Sequence, residues 1–125
     1  MICLDPTDDM EKYYRMSDIF ISSSRGETFS FALAEAIYCG LPCISSDIRG
    51  VQWAKNIESV QFFENENVDD LVDKIQQRLV TPFDSEILSI GKKYIQDNYS
   101  EAIWSKNIIN YYKEILRNQN RGDDR

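Results

Sequence analysis

The sequence predicts an α/β fold, a parallel sheet flanked by helices. Short apolar runs alternate with helical patterns through the first half of the chain, the order that crossover connections require. The runs are continuously apolar and not alternating, as strands covered on both faces are. A hydrophobic fraction of 42% over 125 residues supplies the core of one domain.

Each element has its own signal. Ile2-Cys3-Leu4 ends at Asp5-Pro6 and reads as a strand entering a loop. Asp8 or Asp9 caps a helix through Tyr13, Tyr14 and Met16. Ile19-Phe20-Ile21 is a second strand, followed by a small polar loop at residues 22–26. Residues 31–39, FALAEAIYC, form an apolar helix that Ser30 caps, Gly40 ends and Pro42 keeps from continuing. Cys43-Ile44 is a third strand, residues 47–50 a loop, residues 52–56 a helical turn and residues 60–63 a fourth strand. Val68, Leu71, Val72, Ile75 and Leu79 then recur at helical spacing until Pro82. Ile87, Ile90, Tyr94 and Ile95 predict another helix. Ser100 and Glu101 open a last one, with Ala102, Ile103, Ile108, Tyr111, Tyr112, Ile115 and Leu116 on its apolar face. Residues 118–125 are a polar tail.

Composition excludes several functions. The net charge is −7 and the 14 Lys and Arg residues do not cluster, so nucleic acid and anionic membranes find no basic face. Cys3, Cys39 and Cys43 are odd in number and form no C-x-x-C pair, which fits a reduced, cytoplasmic setting. No His is present, which removes a Ser-His-Asp triad and speaks against zinc. No apolar run approaches the roughly 20 residues of a membrane span, and the first residues do not form a signal peptide. The acidic stretch at residues 64–73 reads as a solvated loop and helix start. Tyr13, Tyr14, Tyr111, Tyr112, Trp53 and Trp104 read as packing residues, and Cys39 and Cys43 as small buried ones.

In a parallel sheet, ligands bind beyond the carboxyl ends of the strands. The loop at residues 22–30 is such a place. Glu27 lies in it, and Glu35 lies about one to two turns inside the following helix. Glu35 is the lone charge between Glu27 and Asp47. It either marks a solvent-facing stripe or meets a partner or cleft, since a buried lone carboxylate is costly. The amides near Phe31 and Ala32, at the helix start, are expected to be unpaired and partially positive. A diphosphate fits there, with a carboxylate on either side accepting sugar hydroxyls.

The segment DIFISSSRGETFSFALAEAIYCGLPCISSD, Asp18 to Asp47, resembles the signature of retaining GT-B glycosyltransferases. The group is the family 4-like one that includes sucrose synthases and many bacterial polysaccharide transferases. The strand, small-residue loop, E-x-F, second Glu-Ala, Gly-x-Pro and following strand all have counterparts. The resemblance extends from about Ile2 to Leu116. It implies a Rossmann-like domain, the truncated C-terminal half of a GT-B fold. Residues 1–117 would be the nucleotide-sugar-binding domain, incomplete at its N-terminus, and the donor a nucleoside-diphosphate sugar. The implied setting is polysaccharide or glycoconjugate synthesis in the cytoplasm. Glu27 takes the catalytic position against donor sugar hydroxyls, and Glu35 holds the ribose. The main chain of Phe29, Ser30 and Phe31 faces the diphosphate, and Thr28 borders it. No metal or cofactor is implied, because amides and basic side chains neutralise the leaving group.

The sequence departs from that pattern where Thr28 and Ser30 replace glycines, and no acidic residue appears near Gln52 or Trp53. Arg25 reads as an ordinary loop residue. Two upstream strand–helix units and an acceptor-binding domain are missing. The chain is therefore expected to need that domain or a partner chain, to catalyse no transfer alone, and to self-associate as a homo-oligomer through its uncovered surface. The alternative is a non-catalytic remnant or interaction module of the same fold.

Overall fold

A computed structural model describes residues 1–99, Glu101, Ser105, Lys113 and residues 115–119. The elements are α1 (Met10–Met16), β1 (Phe20–Ser22), α2 (Phe31–Tyr38), β2 (Cys43–Ser46), a 3-10 helix (Arg49–Ala54), β3 (Val60–Phe63), α3 (Val68–Val80) and α4 (Ser85–Asn98). The three strands form one parallel sheet in the order β1-β2-β3.

Register decides which residues share a face. Phe20 pairs with Cys43, and Cys43 with Val60. With side chains alternating along each strand, Phe20, Cys43, Val60 and Phe62 face one side. They pack there with Leu33 and Ile37 of α2 and Ile95 of α4. Gln61 faces the other side, where Arg78 of α3 donates to its Oε1 at 3.1 Å. Helices therefore cover both faces of β2, all four of whose residues are buried.

β1 departs from the sequence reading. Ile21 shares the α3 face yet is 43% exposed, because α3 packs on β3 and β2 and does not extend across β1. The strand predicted at Ile2–Leu4 is absent. Residues 1–7 have no regular structure, and Ile2 and Leu4 are 87% and 59% exposed. A strand exists through its ladder bonds, and this run pairs with nothing, so β1 is the sheet edge among the described residues.

The caps follow local chemistry. The Ser30 hydroxyl accepts from the Leu33 amide, Asn67 caps α3 at the Asp70 amide, and Asp84 caps α4 at the Ile87 amide. Gly40 ends α2 at φ +78°, where a side chain would be strained. Asp9 caps α1 by position but makes no side-chain bond to it. β2 runs two residues beyond its apolar pair. Its added serines are satisfied: Ser45 donates to the Ser46 carbonyl and Ser46 to the Ser24 carbonyl. The 3-10 helix begins at Arg49, inside the loop expected at residues 47–50. Most of the last predicted helix, with Trp104, Tyr111 and Tyr112, lies outside the described residues, as does most of the tail. Ile115 and Leu116 are helical and exposed. Among the described residues, no helix is long and apolar enough to cross a membrane.

α2 and α4 meet at Gly91, where a methyl group would press on Ser59 Oγ, Ile37 and Ile57. Gly91→Ala should therefore destabilise the chain by about 1–3 kcal/mol, despite the better helix propensity of alanine. Urea denaturation would show this as a lower midpoint with an unchanged slope.

Candidate functional site

The loops that leave the carboxyl ends of the three strands converge. The Ser46 hydroxyl, at the end of β2, donates to the Ser24 carbonyl in the loop after β1. Ser24 Oγ in turn donates to Glu27 Oε1 at 3.3 Å. Arg25 Nε lies 3.3 Å from Glu66 Oε1, which joins the loop after β3 to the same group. That pair is exposed and contributes under about 1 kcal/mol.

Gly50 pins the arrangement. Its carbonyl accepts from the Ser30 amide at 3.2 Å and from Trp53 Nε1 at 2.9 Å. A methyl group at Gly50 would overlap the Glu27 carbonyl. Trp53 then stacks on Phe29 with centroids 4.8 Å apart and planes at 19°. Tyr99, the C-cap of α4, closes this group at 5.5 Å from Phe29 and 5.1 Å from Trp53. Beside it, Lys55 and Gln52 donate to Asp47. Those two bonds hold its carboxyl below the usual carboxylate range.

The candidate residues fall into two sets. Glu27 and Thr28 are exposed at the loop tip. Phe29 and Phe31 are half-buried and meet edge to face at 4.8 Å, so their rings serve packing. Ser30 is buried and spends its hydroxyl on the cap and its amide on Gly50. The expectation of unpaired amides is corrected at Phe31 and holds at Ala32. The Phe31 amide donates to the Phe29 carbonyl at 3.1 Å, because the loop turns tightly before the helix. The Ala32 amide has no acceptor among the described residues.

Glu35 stands apart from Glu27. It is half-buried on α2, and the Tyr14 hydroxyl of α1 donates to its Oε2 at 3.1 Å. Of the readings open for this lone charge, the structure gives it a partner. No hydrogen bond among the described residues links Glu27 to Glu35. A surface depression of 590 Å³ lies elsewhere, on α3 around Gln77, Arg78 and Thr81. Sequence reasoning missed Gly50, Ser46 and Tyr14 as supports of the site. A glycine in a loop signals close backbone approach, whereas nothing in the spacing of Tyr14 points to Glu35.

A family model described as Glycosyl transferases group 1 matches residues 1–81, more than half of the chain and both glutamates. The chain belongs to this glycosyltransferase family. Among solved structures it is similar to sucrose-phosphate synthase from Thermosynechococcus elongatus, with a TM-score of 0.66 and 24% identity. The match covers 84% of this chain and 27% of that one, so this family member spans about a quarter of the synthase. At that identity the likeness carries the fold: α/β, Rossmann-like, matching part of a GT-B structure. No curated protein matches significantly.

Two measurements check the geometry. Gly50→Ala should lower stability by about 1–3 kcal/mol and should accelerate tryptic cleavage after Arg25, since the loop loses its seat. The second is alkaline unfolding. Burial, then the adjacent Glu35 carboxylate, push the Tyr14 hydroxyl well above its ordinary value. An unfolded Tyr ionises near pH 10. The stability Tyr14 contributes is thus full below about pH 10 and is lost as pH rises toward its higher folded value. Tyr14→Phe should flatten the fall in thermal midpoint above that pH.

Proposed function

We propose that this chain forms the donor-binding half of a retaining GT-B glycosyltransferase, with a nucleoside-diphosphate sugar as donor. The observation that carries this reading is the placement of Glu27. It is an exposed carboxylate on a loop seated by Gly50, at the carboxyl ends of parallel strands, within the segment the family model matches. Ligands of parallel sheets sit there.

Glu27 accepts hydrogen bonds from hydroxyls of the donor sugar and takes the catalytic position. Glu35 accepts from the ribose through the oxygen that Tyr14 leaves free. The Ala32 amide and the start of α2 present partial positive charge to the diphosphate. Thr28 borders the phosphates, while Ser30 is turned inward and does not crowd them. Catalysis then rests on stabilising the departing diphosphate. The fitting role is polysaccharide or glycoconjugate synthesis in the cytoplasm.

A second reading is an interaction module that acts through a partner chain or as a homo-oligomer. The open edge of β1 and the exposed Ile21 favour it.

Calorimetry with several nucleoside diphosphates separates the two. The 125-residue polypeptide should bind one of them weakly, and Glu35→Ala should weaken that binding by about tenfold or more, as loss of a charge-assisted hydrogen bond does. Glu86→Ala, on the outer face of α4, should not. A radiolabelled-donor assay should show no transfer by this polypeptide alone, because near-attack positioning of an acceptor supplies about 7–11 kcal/mol in favourable cases. Robust transfer would overturn the reading of it as half a site.

A further inference from the structure

Tyr14 is the single buried residue of α1, 6% exposed, while Met10 and Met16 on the same helix lie open. Its ring meets Phe20 edge-on at 6.0 Å, and its hydroxyl donates to Glu35 Oε2 at 3.1 Å. The backbone under Glu35 is rigid, since Ala34 and Ala36 on either side are fully buried and its carbonyl accepts the Cys39 amide. What remains free in Glu35 is its side chain, with three rotatable bonds. A bond to one carboxylate oxygen restricts the directions in which the other can point. Glu35 Oε1 accepts no hydrogen bond from the described residues, so it is the oxygen presented to a ligand.

We infer that Tyr14 is a positioning residue for nucleotide binding: its hydroxyl holds Glu35 Oε2 so that Oε1 is set in advance to accept a ribose hydroxyl. The inference rests on the proposed reading of Glu35 as the ribose-binding carboxylate. The physical gain is preorganisation, because side-chain freedom surrendered on folding is not surrendered again on binding. A buried phenol also seeks a partner for packing reasons alone. The two roles differ in one observable. A packing role changes the binding of every nucleotide equally, whereas a positioning role changes the discrimination between ribose and 2′-deoxyribose.

The experiment is calorimetry of the full chain with ADP, GDP and UDP and their 2′-deoxy counterparts. The wild type should prefer the ribonucleotide. Glu35→Ala should bring that preference close to one, and if it leaves the preference intact, the reading of Glu35 falls and the inference with it. With Glu35→Ala behaving as expected, Tyr14→Phe should weaken ribonucleotide binding about threefold to tenfold and shrink the preference. An unchanged preference in Tyr14→Phe would overturn the positioning role while leaving Glu35 in place. Phe20→Leu, which disturbs the ring contact and spares the hydroxyl, should lower stability and keep the preference. Should Tyr14→Phe not fold, fluorotyrosine labelling of the unmutated sequence decides the matter. The Tyr14 fluorine resonance should move on saturation with the ribonucleotide and much less with the 2′-deoxy form, and equal shifts would overturn the inference.

Discussion

The Gly50 carbonyl is the point through which the carboxyl-end loops are held together. It accepts two donors, the Ser30 amide at the head of α2 and the indole of Trp53. The main chain of residue 50 lies against that of Glu27, an approach that a Cβ would block. Much of the rest depends on this seat. It places the α2 cap, sets Trp53 against Phe29, and lets Tyr99 of α4 close over both. One glycine thereby ties the loop bearing Glu27 to the core beneath α2 and α4.

Charge is handled locally in a chain of net charge −7. Lys55 is spent on Asp47 and Arg25 on Glu66. The two pairs are not equivalent. Asp47 also receives Gln52, and Lys55 lies 4.2 Å from the Phe62 ring centroid, so that cation is held by a carboxylate and by a ring face. Arg25 is 83% exposed and has one carboxylate partner among the described residues. Such a pair is little stronger than hydration, and a dianionic ligand would compete for it readily.

The sequence was most informative where one residue carries a local rule. Ser30, Gly40 and Pro42 bracket α2 because capping and left-handed backbone are decided within a turn or two. The β3 run was legible to the residue because both its ends meet polar neighbours. β2 was read too short, since Ser45 and Ser46 look like loop residues until tertiary acceptors are known. Ile2–Leu4 was read as a strand because apolar character alone cannot reveal whether a ladder partner exists. At the site, Glu27 was visible as a carboxylate in the loop after a strand, and Glu35 as the lone charge of an apolar helix. Their partners were not, because Ser24 lies three residues from Glu27 whereas Tyr14 reaches Glu35 across a gap of 21 residues from another helix. Of the two amides expected to be free at the helix start, that of Phe31 was spent in the tight turn at Phe29, a backbone detail that residue types do not encode.

The open side of β1 limits how this sheet can be extended. Parallel neighbours cannot be joined by a hairpin and need a crossover. Through Tyr14 and Phe20, α1 packs on the same face as α2, where a right-handed crossover into β1 would lay its helix. Residues 1–7, ahead of α1, have no regular structure and do not occupy that edge among the described residues. For protein engineering, this edge is a one-sided joint: within one chain a parallel strand reaches it only through a crossover, whereas a strand from another chain can pair with it directly.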